Sequence, residues 1–317
     1  LQHFISINYK KDHVIVKSSK IINFFFLNKL KNKYNFIGSF LNNKIVSISG
    51  ILSNTHWDKS LKSDMQLSLW INKKKNTVSG LETIKFILNK LKPYSLFTSG
   101  INLKTSGKIF LMIGKVVKYD HFYICNPKLV KKVSKNLNFS NIEVLNKEKN
   151  LSMEKSVHPI SIPKYSYFPK KSAMFFLNKY TKNPFYNYYF LNFKSKNKIY
   201  FFFICREIYV NKLKTKILRI VDFYGDFPKN INFKNKIINF LIENKYEYID
   251  FVIYGMNHKK LRDIGFEIKN NNQIIPNHFE PFNKKNIDLN LAIIVNPYGD
   301  RLVSVKGDSD QERPNKI

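Results

Sequence analysis

The sequence is poor in cysteine, which limits the kinds of site it can build. Only two cysteines, Cys125 and Cys205, occur among its 317 residues, and both lie inside apolar runs. Neither has a Cys or His neighbour at metal-ligand spacing, so we predict no disulfide framework and no metal site. Both thiols are instead expected to be buried and reduced, as in a cytoplasmic protein.

Arginine and alanine are also scarce, although the chain is strongly basic. Lys and Arg number 54 against 22 acidic residues, a formal charge of +32, yet only five of the bases are arginine and alanine occurs twice. Lys, Asn, Ile, Phe and Tyr dominate instead, and AT-rich codons encode them, so a biased genome explains the lysine excess. Because nucleic-acid surfaces favour arginine for bidentate contacts, we expect a solvated lysine-rich surface and do not predict nucleic acid as the main partner.

Long hydrophobic runs are missing as well. The apolar runs Ile21–Leu27 and Tyr200–Cys205 are much shorter than the ~20 residues that cross a bilayer, and no signal peptide is visible. We therefore predict a cytoplasmic protein without a membrane span. The chain opens at Leu1 inside a strand-like pattern, so we expect that a segment precedes it. Hydrophobic residues make up 44% of the sequence, enough for the cores of two domains.

A repeat organises the chain. Apolar segments flanking a short polar turn predict a β-hairpin at Tyr34–Leu52 and another at Tyr188–Ile208. A strand, an amphipathic helix and a buried strand follow each hairpin: Met65–Ile71, Gly80–Leu91 and Tyr94–Ser99 in the first copy, and Ile217–Phe223, Phe233–Asn244 and Tyr248–Tyr254 in the second. The tripeptides at Gly100 and Gly255 then match as Gly-x-Asn, 155 residues apart.

Each copy closes with a short helix, which ends near Gly114 or Gly265, and with further strands. The closing strands are predicted at Val116–Cys125 in the first copy, and at Ile274–Phe282 and Leu289–Val295 in the second. We predict an α/β (α+β) fold of two tandem domains, each a mixed, mostly antiparallel central sheet flanked by helices. The predicted boundaries are 1–127 for the first domain, 128–171 for a linker and the entry to the second, 172–300 for the second domain, and 301–317 for a polar tail.

The element order resembles the fold of the GCN5-related N-acetyltransferases (GNAT), over residues 34–127 and 172–296. The segments Ile220–Asp226, Tyr248–Gly255 and Lys306–Asn315 are similar to tandem GNAT-like proteins of bacterial surface-polysaccharide biosynthesis loci. The resemblance implies an acyl donor such as acetyl-CoA, and an amine on a sugar or amino acid as acceptor.

The GNAT family binds the donor pyrophosphate with an Arg/Gln-x-x-Gly-x-Gly/Ala loop at a helix N-terminus, where backbone N–H groups and the helix dipole attract phosphate. In the first copy the matching segment is Asn72–Gly80, which has basic residues and one glycine but departs from the pattern. The cofactor-binding candidates are Lys73, Lys74, Ser79 and Gly80. The alternative is a solvated loop in which Ser79 or Thr77 caps the helix.

In the second copy the matching segment is Tyr224–Pro228, which is acidic and bulky. Asp226 would repel a pyrophosphate, so this copy is not expected to bind CoA in the usual way. Amine acylation needs a general base, and the catalytic candidates lie near strand ends of this copy: Asp222, Tyr224, Asp226 and His258. The alternatives are turn residues for the aspartates and a surface position for the histidine.

Seven further residues are candidates for substrate contacts: Trp57, Trp70, Asn102, Asn257, Asp308, Asp310 and Arg313. Tryptophan rings stack on sugars, but core packing is an alternative for both. The two asparagines recur at one offset, which also suits a helix cap or turn. The tail residues offer donors and acceptors for sugar hydroxyls, and a disordered polar C-terminus is the other interpretation.

The leading functional hypothesis is a GNAT-type N-acyltransferase that acts on an amino-sugar or nucleotide-sugar precursor of a bacterial surface polysaccharide. Two alternatives remain open. One is a non-catalytic module that binds a sugar or a protein partner, because both donor loops are degenerate. The other is a transferase that uses aminoacyl-tRNA, with which the basic surface is compatible. The oligomeric state is left undetermined.

Overall fold

The structure, a computed structural model, comprises two compact units of α/β architecture. It describes residues 1–28, 31–73, 77–138, 151–195, 198–227 and 233–315. Unit 1 consists of residues 1–117, 289–299 and 308–317, and unit 2 of residues 118–288 and 300–307. The predicted lysine loop residue Lys74 and the connection 139–150 lie outside the described residues. No helix in the described ranges combines the length and hydropathy needed to cross a bilayer.

Nine α-helices lie within these ranges of the chain: α1 Gln2–Asn8, α2 Val14–Lys17, α3 Ser19–Phe26, α4 Asn54–Trp57, α5 Thr77–Phe86, α6 Ser106–Ile113, α7 Ala173–Phe176, α8 Lys234–Glu243 and α9 His258–Asp263. A π-helical turn extends two of them, at Ile87–Leu91 after α5 and at Leu177–Thr181 after α7. The predicted helices in the two copies are therefore confirmed as α5 with its extension and as α8.

Eighteen strands lie within the same described ranges: β1 Leu27–Asn28, β2 Lys33–Tyr34, β3 Phe36–Leu41, β4 Lys44–Ser53, β5 Asp64–Asn72, β6 Ser95–Ser99, β7 Lys115–Lys118, β8 Asp120–Cys125, β9 Leu151–Ser156, β10 Tyr188–Ser195, β11 Lys198–Val210, β12 Thr215–Gly225, β13 Tyr246–Tyr254, β14 Glu267–Ile268, β15 His278–Phe279, β16 Phe282–Asn283, β17 Asn290–Val295 and β18 Ser304–Val305. Both predicted hairpins are present, as β3–β4 and β10–β11.

Unit 1 is built on a six-stranded sheet in the order β3-β4-β5-β6-β17-β7. Its first three strands are antiparallel neighbours, whereas β5 and β6 are parallel and are connected through α5. Helix α5 and its π-helical extension pack Ile84 and Ile87, respectively, against Leu67 and Leu96 of the sheet. The 3.6-residue spacing of the helix thus meets the buried face of the central strands.

Unit 2 is built on an eight-stranded sheet in the order β14-β8-β13-β12-β11-β10-β9, with β18 paired to β13. Strands β12 and β13 are parallel, and helix α8 packs against β13 and β8. Both cysteines are free thiols buried in this unit, as expected. Burial raises the pKa of Cys125 to about 11, so its thiol stays protonated at neutral pH.

Two predicted closing strands lie in the sheet of the other unit, which corrects our expectation that each completes its own copy. Strand β8, from the end of the first copy, lies between β13 and β14 in unit 2. Strand β17, from the end of the second copy, lies between β6 and β7 in unit 1. The predicted strand Val116–Cys125 is in fact two strands, β7 and β8, in different sheets. An apolar pattern identifies a strand but not its partner, because the hydrogen-bonding groups belong to the backbone.

One further segment differs from the prediction. The predicted strand Ile274–Phe282 contributes only the two-residue strands β15 and β16, which form a separate hairpin. The segment 128–171, predicted as a linker and the entry to the second domain, includes strand β9, which pairs with β10 at the edge of the unit 2 sheet. Near the start of this segment, the backbone N–H groups of Lys132, Val133 and Ser134 donate hydrogen bonds to the buried Glu247 carboxylate.

A network of buried charges joins three neighbouring strands of unit 2. Arg219 on β12 donates through Nε and Nη2 to the Asp250 carboxylate on β13, at 3.0 and 2.6 Å. His121 Nε2 on β8 lies 2.9 Å from Asp250 Oδ2. The guanidinium also donates to the carbonyls of Pro276 and Asn277. Because all of its members are buried and bonded, removing one would leave an unpaired charge in the core.

We predict that Arg219→Met lowers the free energy of unfolding by about 3–5 kcal/mol, because Asp250 would remain buried without its cation. Urea unfolding measures the loss. The matched control is Lys259→Met, which breaks the exposed pair between Lys259 and Asp263 on α9 and should cost less than about 0.5 kcal/mol. Equal effects of the two substitutions would contradict the structural role of the network.

The same network predicts acid sensitivity. Burial lowers the pKa of His121 below its ordinary value of 6.5, and the neighbouring guanidinium holds the pKa of Asp250 below its ordinary value. Below pH 6.5 His121 becomes protonated in the unfolded chain but stays neutral in the folded one. The free energy of unfolding therefore decreases as the pH falls below 7. The free energy of unfolding should therefore decrease between pH 7 and pH 5, and less steeply in His121→Asn. His158→Asn, at an exposed position, should leave the slope unchanged; identical slopes in all three proteins would refute this assignment.

Candidate functional site

In unit 1 the two parallel strands part near the middle of the sheet. Strands β5 and β6 pair from Asp64 with Ser95 to Gln66 with Phe97, after which β5 continues along β4 alone. The register between β4 and β5 shifts between Leu67 and Trp70, which marks a β-bulge in β5. We call the place where β5 leaves β6 the unit 1 fork.

Unit 2 has a fork of the same construction. Strands β12 and β13 pair up to Ile220 with Phe251, and the register of β12 on β11 shifts between Ile220 and Asp222. Bulges of this kind are frequent beside active sites, because they redirect the bulged strand and interrupt its ladder. Both forks lie at the carboxyl ends of parallel strands, where open α/β sheets bind ligands. These forks are therefore the candidate functional sites.

The unit 1 fork holds a buried side-chain amide whose hydrogen bonds are unmade. Gln66, the last residue of β5 paired with β6, is 3% exposed, and among the described residues neither of its amide atoms has a hydrogen-bond partner. The hydroxyl of Ser68, at the bulge, is likewise buried without a partner in the described chain. A buried polar group in this condition costs about 1–3 kcal/mol, so both groups are suited to a polar ligand.

The carboxylate of Asp64 lies at the start of β5 and binds two hydroxyl groups. Ser95 Oγ and Tyr298 Oη donate to its Oδ1 at 2.7 and 2.6 Å. Burial raises the pKa of Asp64, and the nearby charge of Asp308 adds to the increase. Gln66 and Asp64 were not among our predicted site residues. The signal available was a polar residue at every second position of the strand segment Asp64–Ser68.

The predicted donor loop of unit 1 leads into helix α5. Lys73 is exposed just before it, and Ser79 is half-buried in the first turn of the helix. The carbonyl of Gly80 accepts a hydrogen bond from Trp70 Nε1 at 3.1 Å. A Cβ atom at Gly80 would lie 2.4 Å from the side-chain amide of Asn72. Glycine at position 80 thus makes room for the Asn72 side chain. A contact between Gly80 and the acyl donor stays a prediction.

In unit 2 the candidate base Asp222 is fully buried in an ion pair. Its carboxylate accepts hydrogen bonds from Lys171 Nζ at 2.6 Å, from Tyr180 Oη at 2.7 Å and from the backbone N–H of Phe223 at 2.8 Å. The candidate Tyr224 is buried beside it, stacked on Tyr165 with ring centroids 4.2 Å apart. Burial raises the pKa of Tyr224, so its hydroxyl remains protonated at neutral pH.

The other two catalytic candidates are held by different partners. Asp226 accepts hydrogen bonds from the backbone N–H and the hydroxyl of Ser166, at 2.7 and 2.6 Å. His258 Nε2 lies 2.8 Å from Asp120 Oδ2 in a half-exposed pair. The structure thus brings Asp222 and Tyr224 together, whereas Asp226 is engaged in anchoring a loop. The catalytic roles of all four residues stay predictions.

The predicted substrate residues of the two copies have the following positions. Asn102 and Asn257 each accept a hydrogen bond from the backbone N–H two residues further on, at 2.9 and 2.8 Å, and Asn257 caps α9. Trp57 is buried against Phe24 of α3, and Trp70 is half-buried beside Phe110 of α6. These contacts match the structural alternatives, and substrate contacts by these residues remain untested.

Most of the described residues of the C-terminal tail, between 301 and 315, are buried. Of the three predicted tail residues, Asp308 is half-buried and Arg313 Nη2 lies 3.1 Å from His13 Nε2 in unit 1. Asp310 belongs to a short 3₁₀ turn, but its side chain lies outside the description. The Gln311 side chain lies against Gly100, at the end of β6, where a Cβ would be 2.5 Å from its amide nitrogen.

Comparisons with known proteins identify the fold. No protein-family model and no curated protein sequence matches the chain. Among solved structures, it is similar to a GCN5-related N-acetyltransferase from Anabaena variabilis ATCC 29413, with a TM-score of 0.50 at 10% identity over 93% of this chain and 69% of the other. A protein named as an acetyltransferase from Pyrococcus horikoshii gives a TM-score of 0.45 at 10% identity, over 98% and 90% of the two chains. Eis1 from Mycobacterium abscessus gives 0.40 at 6% identity, over 68% and 55%.

At such low identity, likeness to the Anabaena structure shows the fold alone. The sheets flanked by helices, the parallel strand pair in each unit and this likeness together confirm the predicted fold class. The chain has the fold of the GCN5-related N-acetyltransferases, with GNAT-like architecture across most of its length.

Proposed function

We propose that the protein is an N-acyltransferase that moves an acyl group from an acyl-CoA donor to an amine, and that the reaction takes place at the unit 1 fork. The observation that carries the proposal is the buried amide of Gln66, which stands without a described partner where β5 and β6 part. A folded chain leaves few such groups unpaired, and a role toward a ligand or a reacting group is one explanation for those that remain. The fold supports the class of reaction, since the similar Anabaena protein is an N-acetyltransferase.

The residues at the start of helix α5 in unit 1 are of the chemical types that can bind the phosphates of an acyl-CoA donor. Helix α5 has ten residues and begins at Thr77, five residues after the last residue of the bulged strand β5, Asn72. The first four N–H groups of a helix lack intrahelical partners and carry positive partial charge, so they attract phosphate. Lys73 adds a cation at this end, and Lys74, Ser79 and Gly80 remain donor candidates with it. When bound, the donor would supply an activated thioester carbonyl.

The polar groups of the fork would position the reactants. The Gln66 amide can donate to a carbonyl oxygen and accept from an amine, and its burial excludes water from the bond. Ser68 offers a second donor at the bulge. An acceptor amine must lose a proton before or during attack. Asp64 has a raised pKa in the same unit, and its position at the start of β5 makes it a candidate to hold that proton.

The acceptor is proposed on the resemblance in sequence. The segments Ile220–Asp226, Tyr248–Gly255 and Lys306–Asn315 are similar to tandem proteins of bacterial surface-polysaccharide loci. We therefore propose an amino-sugar or nucleotide-sugar precursor as the amine substrate, and a cytoplasmic location where such precursors and acetyl-CoA are available. A screen of amine acceptors should begin with amino sugars.

We predict that acetyl-CoA stabilises the protein by mass action. At a hundred times the dissociation constant, a ligand that binds only the folded state adds about 2.7 kcal/mol to the free energy of unfolding. A thermal-shift titration measures this effect, with ATP at equal concentration as the control for binding of any polyanion to a basic chain. No shift up to millimolar acetyl-CoA would sink the enzyme hypothesis and favour a non-catalytic binding module.

We predict that Gln66→Met reduces kcat/KM for acetyl-CoA on the order of tenfold, equal to about 1.4 kcal/mol of transition-state binding, while leaving stability unchanged or higher. Stability does not fall because an unpaired buried amide is replaced by an apolar group of similar volume. Steady-state kinetics and urea unfolding provide the two measurements.

The matched control for this prediction is Gln273→Met. Gln273 is 1% exposed and is bonded at both polar side-chain atoms, with its amide nitrogen donating to Tyr123 Oη and its oxygen accepting from the Asn270 N–H. This substitution should cost about 1–3 kcal/mol of stability and leave the kinetics unaltered. If Gln66→Met instead destabilises the chain and keeps full activity, Gln66 is an ordinary core residue.

A further inference from the structure

The fork of unit 2 contains a segment of the chain itself. Strand β18 pairs antiparallel with the end of β13, with Val305 opposite Ile253 and Ser304 opposite Tyr254. The other edge of β13 is already taken by β8, which pairs with it as far as Ile253. Because a strand has only two edges, β18 must lie on the side facing β12, where β12 and β13 have parted.

The residue after this segment reaches the opposite wall of the fork. A Cβ atom at Gly307 would lie 2.4 Å from the Val221 carbonyl oxygen, at the bulge of β12, and 2.6 Å from Tyr180 Oη. Only glycine allows the backbone to approach this closely. The segment Ser304–Gly307 therefore extends from β13 to the bulge of β12 and spans the unit 2 fork.

Side chains of unit 2 hold the segment in place. Ser304 is fully buried, with its hydroxyl 2.8 Å from Tyr119 Oη. Lys306 is 6% exposed, and its Nζ donates to the Asn277 carbonyl at 3.1 Å. Upstream, the carbonyl oxygen of Leu302 would lie 2.0 Å from a Cβ at Gly255. Burial and hydrogen bonds of this extent are typical of a core element and not of a surface strap.

The charged groups beside the segment are already paired with one another. Asp222 is neutralised by Lys171 and bonded to Tyr180. Arg219, two residues before the bulge at Val221, is bonded to Asp250. In unit 1 the residue two positions before the bulge at Ser68 is Gln66, whose side-chain amide has no partner among the described residues. At this position the described residues of the unit 1 fork leave hydrogen bonds unmade, whereas those of the unit 2 fork make them.

We propose that Ser304–Gly307 is a permanent internal occupant of the unit 2 fork in the place where an acyl donor would lie, so that unit 2 is a structural copy and the chain takes one donor. The assignment of the donor to unit 1 rests on the proposed function, whereas the internal occupancy of unit 2 does not. Removal of the segment would expose backbone groups of β13 that β18 now pairs.

Hydrogen–deuterium exchange of the full chain, with and without saturating acetyl-CoA, tests both parts. We expect residues 302–307 to exchange as slowly as residues 246–254 of β13, at least ~1000-fold slower than an unstructured chain, and at the same rate when acetyl-CoA is present. Exchange within tenfold of the unstructured rate, or faster exchange on addition of acetyl-CoA, would mean that the segment leaves the fork and would overturn the proposal.

The same measurement locates the donor. We expect acetyl-CoA to slow exchange at least threefold in residues 64–73 and 77–86 and to leave residues 215–225 unaltered, with a calorimetric stoichiometry of one per chain. Slowing in residues 215–225, or a stoichiometry of two, would overturn the proposal. No heat and no slowing anywhere would refute the acyltransferase function and the single donor site, while slow exchange of 302–307 would still support the internal occupancy of unit 2.

Discussion

Where two parallel strands part in the middle of a sheet, their backbone N–H and C=O groups lose each other as partners and must find new ones. Each unit of this structure satisfies these groups in a different way. Buried groups without partners are costly, so a fork is stable only when something fills it. In unit 2 the chain fills the fork with β18 and Gly307. In unit 1 no described strand adds to β6 beside β5, and the buried Gln66 amide keeps its hydrogen-bonding capacity. The first arrangement is that of a completed core, and the second is the one that we propose as a ligand site.

The distribution of buried charge follows the same division. Unit 2 buries Arg219 with Asp250 and His121, and Lys171 with Asp222, each within hydrogen-bonding distance of its partner. Buried charges that are paired in this way cannot take part in proton transfer unless the two side chains separate, and that separation costs several kcal/mol. Gln66 and Ser68 at the unit 1 fork are neutral, and within the described residues the Asp64 carboxylate nearby accepts its hydrogen bonds from hydroxyl groups. A carboxyl group in such surroundings can exchange a proton more easily than one locked to a lysine.

The local structure could be predicted well from the sequence, because periodicity reports on burial. The hairpin turn at Asn42 and Asn43, both with positive φ, and the apolar spacing of α5 and α8 were readable from residue order. The exchange of β8 and β17 could not be read, since all strands of similar hydrophobicity offer the same backbone groups. The role of Gly307 could not be predicted either. A glycine in a polar tail usually indicates a turn, and its close approach to the Val221 carbonyl is visible only in the structure. Gln66 was visible only as a polar residue within an apolar strand, which has several explanations.

The central claim is that one fork of two receives the acyl donor. A crystal structure of the full chain with saturating coenzyme A tests it most directly. The account predicts one cofactor, with its pyrophosphate at the N-terminus of α5 and its pantetheine arm reaching the fork beside Gln66, and with Ser304–Gly307 still paired to β13. A cofactor beside Val221 in unit 2, with β18 displaced from β13, would contradict it.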